Sequence, residues 1–185
     1  MNFMHSPSST LTGNRAYVQT FWILTFAILT AIGAQVEIPH YPVPFTLQTF
    51  FVLLAGAVLG SRKGFLSMAS YLVLGALGLP VFSGAGFGIA KLIGPTGGYL
   101  LAFPICAFVV GTLASYRQDF FWLILSMTAG LLLVFLLGTL QLNVVYFNDW
   151  KSSFNAGFLV FSWWDVVKLM GAASIARQFL KRTAA

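Results

Sequence analysis

Apolar residues fall into six runs along this chain, and nearly every charge sits in the gaps between them. The first run, 18–36, is long enough for one membrane crossing, which needs about 20 apolar residues. The second, 45–60, is shorter and closes on Gly56-x-x-x-Gly60, a spacing that lets helices approach closely. The third ends near Leu79, the fourth covers 98–116, the fifth 120–142 and the sixth 156–175. Tight basic turns join some of them, as in Ser61-Arg62-Lys63-Gly64. Longer connections hold the prolines and glycines: Pro39, Pro42 and Pro44 bar a helix interior, and a glycine-rich stretch occupies 80–98. The pattern predicts an all-α integral membrane protein, a bundle of six transmembrane helices. Residues 1–17 form a polar, disordered tail on this reading, and 18–185 a single membrane domain. The first run has the length of an uncleaved helix rather than of a signal-peptide core.

Composition sharpens the picture. The 185 residues are 58% hydrophobic and 8% charged, with mean hydropathy +0.87. Soluble domains carry about a quarter charged residues, so 8% leaves too little polarity to cover a water-exposed surface. Six spans also leave no room for a separate catalytic domain. The net charge of +6 reads as basic cytoplasmic loops rather than nucleic-acid binding. With the N-terminus inside, the inner segments hold Arg15, Arg62, Lys63, Arg117, Arg177, Lys181 and Arg182. The outer loops hold Lys91 and Lys151. Both termini are therefore expected in the cytoplasm, and the proline-rich loop, the glycine-rich loop and the polar loop 143–155 on the outer face.

The last run breaks the rule that charges keep to the gaps. In Ser162-Trp163-Trp164-Asp165-Val166-Val167-Lys168, an Asp and a Lys sit three apart among apolar residues. On a helix they share a face, and intramembrane charges usually mark a site; a self-neutralising pair that tunes packing is the competing reading. Thr46, Gln48, Ser83, Thr96, Tyr99, Asn143 and Asn155 are the polar residues expected near it, with Phe45, Phe82, Phe87, Trp163 and Trp164 as aromatic neighbours. Gln48 suits a ligand amide or ureido group, or else loop backbone. The tryptophans also fit an interfacial belt. Such a pocket suits a small amphiphile bearing a carboxylate, with Lys168 facing an acceptor and Asp165 an N–H donor.

Other chemistry is missing. Gly84-x-Gly86-x-Gly88 is neither a dinucleotide fingerprint nor a P-loop, so any ATP dependence would come from a partner. The lone Cys106 reads as a packing residue. His5 and His40 have no catalytic company, and no catalytic or metal constellation is readable. Ala27-x-x-x-Ala31, with Ala34 nearby, offers a surface for close helix approach or is ordinary helical alanine.

From 43 to 104 the chain resembles the BioY family, the biotin-specific S components of energy-coupling factor (ECF) transporters. The resemblance is carried by Val43-Pro-Phe-Thr-Leu-Gln-Thr49, Leu53-Leu-Ala-Gly56, Leu59-Gly60, Gly75-Ala-Leu-Gly-Leu-Pro-Val-Phe82 and Gly94-Pro-Thr-Gly-Gly-Tyr-Leu100. Asp165-x-x-Lys168 matches as well. It implies six transmembrane helices in the cell (plasma or inner) membrane and biotin captured from outside as a transported ligand, with no cofactor and no enzymatic activity. It also implies a transmembrane coupling protein and two ATPase subunits as partners. Asp165 and Lys168 then match the family's biotin-contacting pair, and the Thr46/Gln48 segment and glycine-rich loop match regions closing over the ligand. Phe82, Ser83 and Tyr99 join that binding set, and Ala27 and Ala31 resemble the patch that docks on the coupling protein. The chain departs from the family pattern at Ser83-Gly-Ala-Gly-Phe-Gly88 with Lys91, and at Trp163-Trp164, which bears on pocket shape rather than ligand class. Alternatives are a solitary biotin facilitator, or a membrane-embedded enzyme or assembly factor whose Asp165/Lys168 pair is structural.

Overall fold

The computed structural model describes residues 8–159 and 163–184. It is built of α-helices, eight among the described residues, with a single two-stranded hairpin. In chain order these are α1 (Ser8–Gln35), β1 (Glu37–Ile38), β2 (Phe45–Thr46), α2 (Gln48–Leu59), α3 (Ser61–Ala76), α4 (Ile89–Ile93), α5 (Gly97–Ala114), α6 (Phe120–Leu142), α7 (Trp150–Gly157) and α8 (Trp163–Ala184). Among them α1, α5 and α6 contain stretches long and apolar enough to cross a membrane, and α2 is a shorter apolar helix.

Glycine and alanine set how closely the helices pack. Gly56 of α2 lies against the backbone of Ala107 in α5, and Gly64 of α3 against the backbone of Ala55 and Gly56. Gly111 of α5 abuts Gly60 and Ser61 at the α2–α3 turn. A side chain at any of these would push backbones apart, because nothing flexible stands opposite. The result is a tightly joined α2–α3–α5 unit, with α1 laid on α2 and α3, α6 on α5, and α8 on α2 and α6. The core between them is apolar and includes Leu53, Met68, Tyr71, Phe103, Cys106, Leu123 and Met127.

Several boundaries differ from the sequence reading. Helix α1 begins at Ser8, inside the stretch expected to be tail; residues 1–7, with His5, lie outside the described residues. The proline-rich loop returns on itself as the β1–β2 hairpin, Glu37 opposite Thr46 and Ile38 opposite Phe45. The segment expected as a polar loop, 143–155, instead continues α6 through a π-turn (Asn143–Phe147) and then forms α7. Asp149 starts α7 by accepting from the Ser152 N–H (2.8 Å) and hydroxyl (2.6 Å). The last span, expected over 156–175, is displaced toward the C-terminus, because Gly157 ends α7 and α8 opens at Trp163. Ser162 lies outside the described residues.

Ala27 also needs correcting as a docking residue. It is 1% exposed and sits in the core with Thr30 and Ala34, where α1 meets α2 and α3. Ser67 of α3 donates to the Ile23 carbonyl across that seam (2.7 Å). The close-packing alanines are thus spent inside the chain, and only Ala31, half-buried, reaches its edge.

Gly138 of α6 leaves room for the Tyr99 ring of α5. Gly138→Ala should overpack this contact at a cost of about 1–3 kcal/mol. The expected outcome is a lower thermal midpoint of the purified protein in detergent; an unchanged midpoint would contradict the packing described.

Candidate ligand-binding site

Lys168 is the centre of the site. Its side chain is 5% exposed, and its ammonium lies 2.6 Å from the Asp165 carboxylate, one turn away on α8. It also donates to the Thr46 carbonyl (3.0 Å) and the Thr49 hydroxyl (2.7 Å) at the start of α2. An ammonium has three donors, and here each has an acceptor. Burying a charge is costly unless it is paired and hydrogen-bonded. The pair therefore fixes α8 against the β2–α2 junction, two segments about 120 residues apart in sequence.

That junction carries a second polar chain. The Thr46 hydroxyl donates to the Gln48 carboxamide oxygen (2.7 Å), Gln48 Nε2 to the Tyr71 hydroxyl (2.5 Å), and Tyr71 to the Val81 carbonyl (3.1 Å). Gln48 thus faces the cavity with its amide already braced by α3. Across the cavity the Tyr99 hydroxyl donates to the Gly157 carbonyl (2.9 Å), tying α5 to the end of α7.

These groups surround a chamber of about 70 Å³ lined by Thr46, Gln48, Thr49, Ser83, Thr96, Tyr99, Asp165 and Lys168, with Phe45, Phe103 and Phe135 among its apolar walls. Pro44, Ser83 and Thr96 also line a wide vestibule of about 910 Å³, whose other walls include Glu37, His40, Phe87 and Lys91. The chamber thus opens toward the proline-rich hairpin and the glycine-rich loop.

Two glutamines hold those loops in place. Gln35, at the end of α1, donates to the Phe82 carbonyl (3.1 Å) and accepts from the Ala85 N–H (3.0 Å). This holds a turn in which Gly84 and Ala85 both have positive φ, 64° and 52°, a conformation that costs an L-residue roughly 1–2 kcal/mol. Gln141 of α6 donates to the carbonyls of Leu92, Ile93 and Gly94 (3.0, 3.1 and 3.0 Å), capping α4.

Of the residues expected at the site, the structure brings together Thr46, Gln48, Ser83, Thr96, Tyr99, Asp165, Lys168 and Phe45. Phe82 is a correction. Its ring is fully buried against Tyr71 (centroids 5.5 Å apart), in space that Gly75 leaves open, and does not line the chamber. Asn143 is also structural, its side-chain oxygen accepting from Ser153 (3.1 Å). Asn155 is exposed, Phe87 stands in the vestibule, and Trp163 is 74% exposed, edge-on to Trp164. Thr49, Tyr71, Gln35 and Gln141 escaped the sequence reading. Thr49 alone carries a signal in the sequence, since it closes the Val43-Pro-Phe-Thr-Leu-Gln-Thr49 motif one residue beyond Gln48.

Comparison with known proteins gives the family. The BioY family model matches residues 7–185. The biotin transporter BioY of Thermotoga maritima is 46% identical over 156 residues, covering 84% of this chain and 92% of that protein. The probable biotin transporter BioY of Pyrococcus horikoshii is 44% identical over 161 residues, covering 87% of this chain and 95% of that one. Among solved structures, the S component for biotin from an ECF-type ABC transporter superposes with a TM-score of 0.83 at 26% identity. It covers 91% of this chain and 93% of its own. With its apolar helices and its transporter relatives, this is a membrane protein, and it belongs to the BioY family.

Proposed function

We propose that this chain is the biotin-binding S component of an ATP-driven importer, a transport protein rather than an enzyme. The observation that carries the reading is the buried Asp165–Lys168 pair at the floor of a chamber that opens through a vestibule. It has the support of the chain's membership of BioY and of relatives named as biotin transporters.

Biotin has a neutral ureido ring, with two N–H donors and one carbonyl acceptor, and an aliphatic tail ending in a carboxylate. Asp165 and Lys168 neutralise each other, so the chamber floor favours a neutral group that offers both donor and acceptor. The ureido ring fits that demand, with its N–H groups toward Asp165 and its carbonyl toward Lys168. Phe45, Phe103 and Phe135 would flank the apolar body. The carboxylate then points to the vestibule, where Lys91 stands. Lys168 is already saturated and the chamber is small, so ligand entry exchanges the Thr46 carbonyl or Thr49 hydroxyl for a ligand acceptor. The hairpin and the start of α2 must shift as that happens.

In the membrane, α1, α2, α3, α5, α6 and α8 would make six passes of the plasma (inner) membrane, with α4 and α7 at the outer side. The basic residues Arg62, Lys63, Arg117, Arg177, Lys181 and Arg182 then fall inside, and both termini are cytoplasmic. ATP would be bound only by two ATPase subunits, coupled through a transmembrane partner protein. Ala31, at the surface edge of α1, is the part of the alanine patch still available to that partner.

Equilibrium binding of labelled biotin to the purified chain tests the ligand. Tight binding is expected, weakened roughly a hundredfold or more in Lys168→Ala and Asp165→Asn, the scale of a lost hydrogen bond to a charged group. The double variant Asp165→Asn/Lys168→Met removes both charges together and should keep the fold while losing the ligand. Wild-type affinity in all three would refute the site, and no binding by the well-folded parent would refute the ligand. For orientation, a cysteine at Lys151 should react with an impermeant maleimide from outside intact cells, and one at Arg182 only after lysis; the reverse would invert the topology.

A further inference from the structure

A second groove lies at the opposite end of the bundle from the vestibule, between α3 and α5. Its volume is about 500 Å³ and it is lined by Arg62, Phe65, Leu66, Ile105 and Phe108. The four apolar side chains are exposed. Arg62, Phe65 and Leu66 share one face of α3, being three and four residues apart. The groove wall is almost wholly apolar, so Arg62 lines it with its aliphatic stem, and its backbone position is one turn, about 5 Å, nearer the end of the helix than the apolar floor.

Charge selects the occupant. Arg62 has no ion-pair partner among the described residues, and Lys63 stands beside it. Of the four acidic residues in the chain, only Asp119 lies near this end, and its carboxylate caps α6 by accepting from the Trp122 N–H (3.0 Å). We infer that this groove holds one anionic phospholipid, its phosphate on Arg62 and an acyl chain along Phe65, Leu66, Ile105 and Phe108. A phosphate above a hydrocarbon chain repeats the order of charge and apolar surface along the groove. A purely aqueous anion would leave those four side chains uncovered. Only the choice of leaflet, the cytoplasmic one, rests on the orientation proposed above.

The test is native mass spectrometry of the purified full chain, titrated with dioleoylphosphatidylglycerol or dioleoylphosphatidylcholine, with biotin binding measured in parallel. The parent should prefer the phosphatidylglycerol. Arg62→Gln should weaken that lipid roughly fivefold, the effect of one basic side chain at a charged lipid surface, and leave phosphatidylcholine unchanged. Lys181→Gln, a basic residue of the same end on α8, should change neither. Ile105→Trp, which fills the groove, should weaken both lipids. Equal affinity for the two lipids in the parent would overturn the inference. So would a preference that survives Arg62→Gln or falls equally in Lys181→Gln. A second copy of the chain on this face would show as a dimer dispersed by Ile105→Trp without lipid preference, and would overturn it too. Biotin binding should be unaltered in Arg62→Gln, so failure here leaves the proposed transport function standing.

Discussion

A buried ammonium that must satisfy three donors governs the arrangement of this molecule's ligand end. Lys168 finds them on Asp165 of its own helix and on Thr46 and Thr49 at the start of α2. The last helix is thereby registered against the first third of the chain, and the hairpin ending at Thr46 is drawn over the chamber. Removing either partner would leave a lone charge out of water, a far larger penalty than the net value of the pair. The packing of the last helix thus depends on the same atoms that line the chamber. The pair is net neutral, and two of the three ammonium bonds reach across to the β2–α2 junction.

The second constraint is steric. Gly56, Gly64 and Gly111 bring α2, α3 and α5 to backbone contact, and this closely packed unit presents Gln48 and Tyr99 to the cavity, with Tyr71 behind Gln48 in the core. Tyr71 shows how the two constraints meet. Its ring packs on Phe82 and Phe103 in the core, while its hydroxyl anchors the Gln48 amide at the chamber wall. The two regions differ in composition accordingly: small residues inside the bundle, prolines and glycines in the loops outside it.

Much of this was legible from residue order. Apolar runs located the long helices because membrane-compatible stretches must be long and uncharged. Asp165 and Lys168 stood out because a charge there needs a reason. What stayed hidden depends on distance in sequence. Thr49 and Gln141 look like ordinary polar residues at helix ends until folding brings Lys168 to one and the α4 carbonyls to the other. Phe82 was misplaced because a motif gives neighbourhood along the chain and not direction, and Gly75 turned its ring inward. Ala27 was misplaced for a related reason: a small-residue stripe records that something packs closely, without saying whether it belongs to the same chain. The helix α7 was missed because its eight residues are too few to declare a period, although Asp149 followed by Ser152 is a capping signal.

The manner in which Gln35 and Gln141 fasten the loops bears on how the protein could diversify. Both side chains bond main-chain groups: carbonyls of Ala31, Phe82, Leu92, Ile93 and Gly94, and the N–H of Ala85. Main-chain groups are the same whatever residue carries them. Side chains at Ser83, Phe87 or Lys91 can therefore be exchanged over evolutionary time without unfastening the loops that present them. The fold separates the task of holding these loops from the identity of the side chains they display, and leaves the second open to drift.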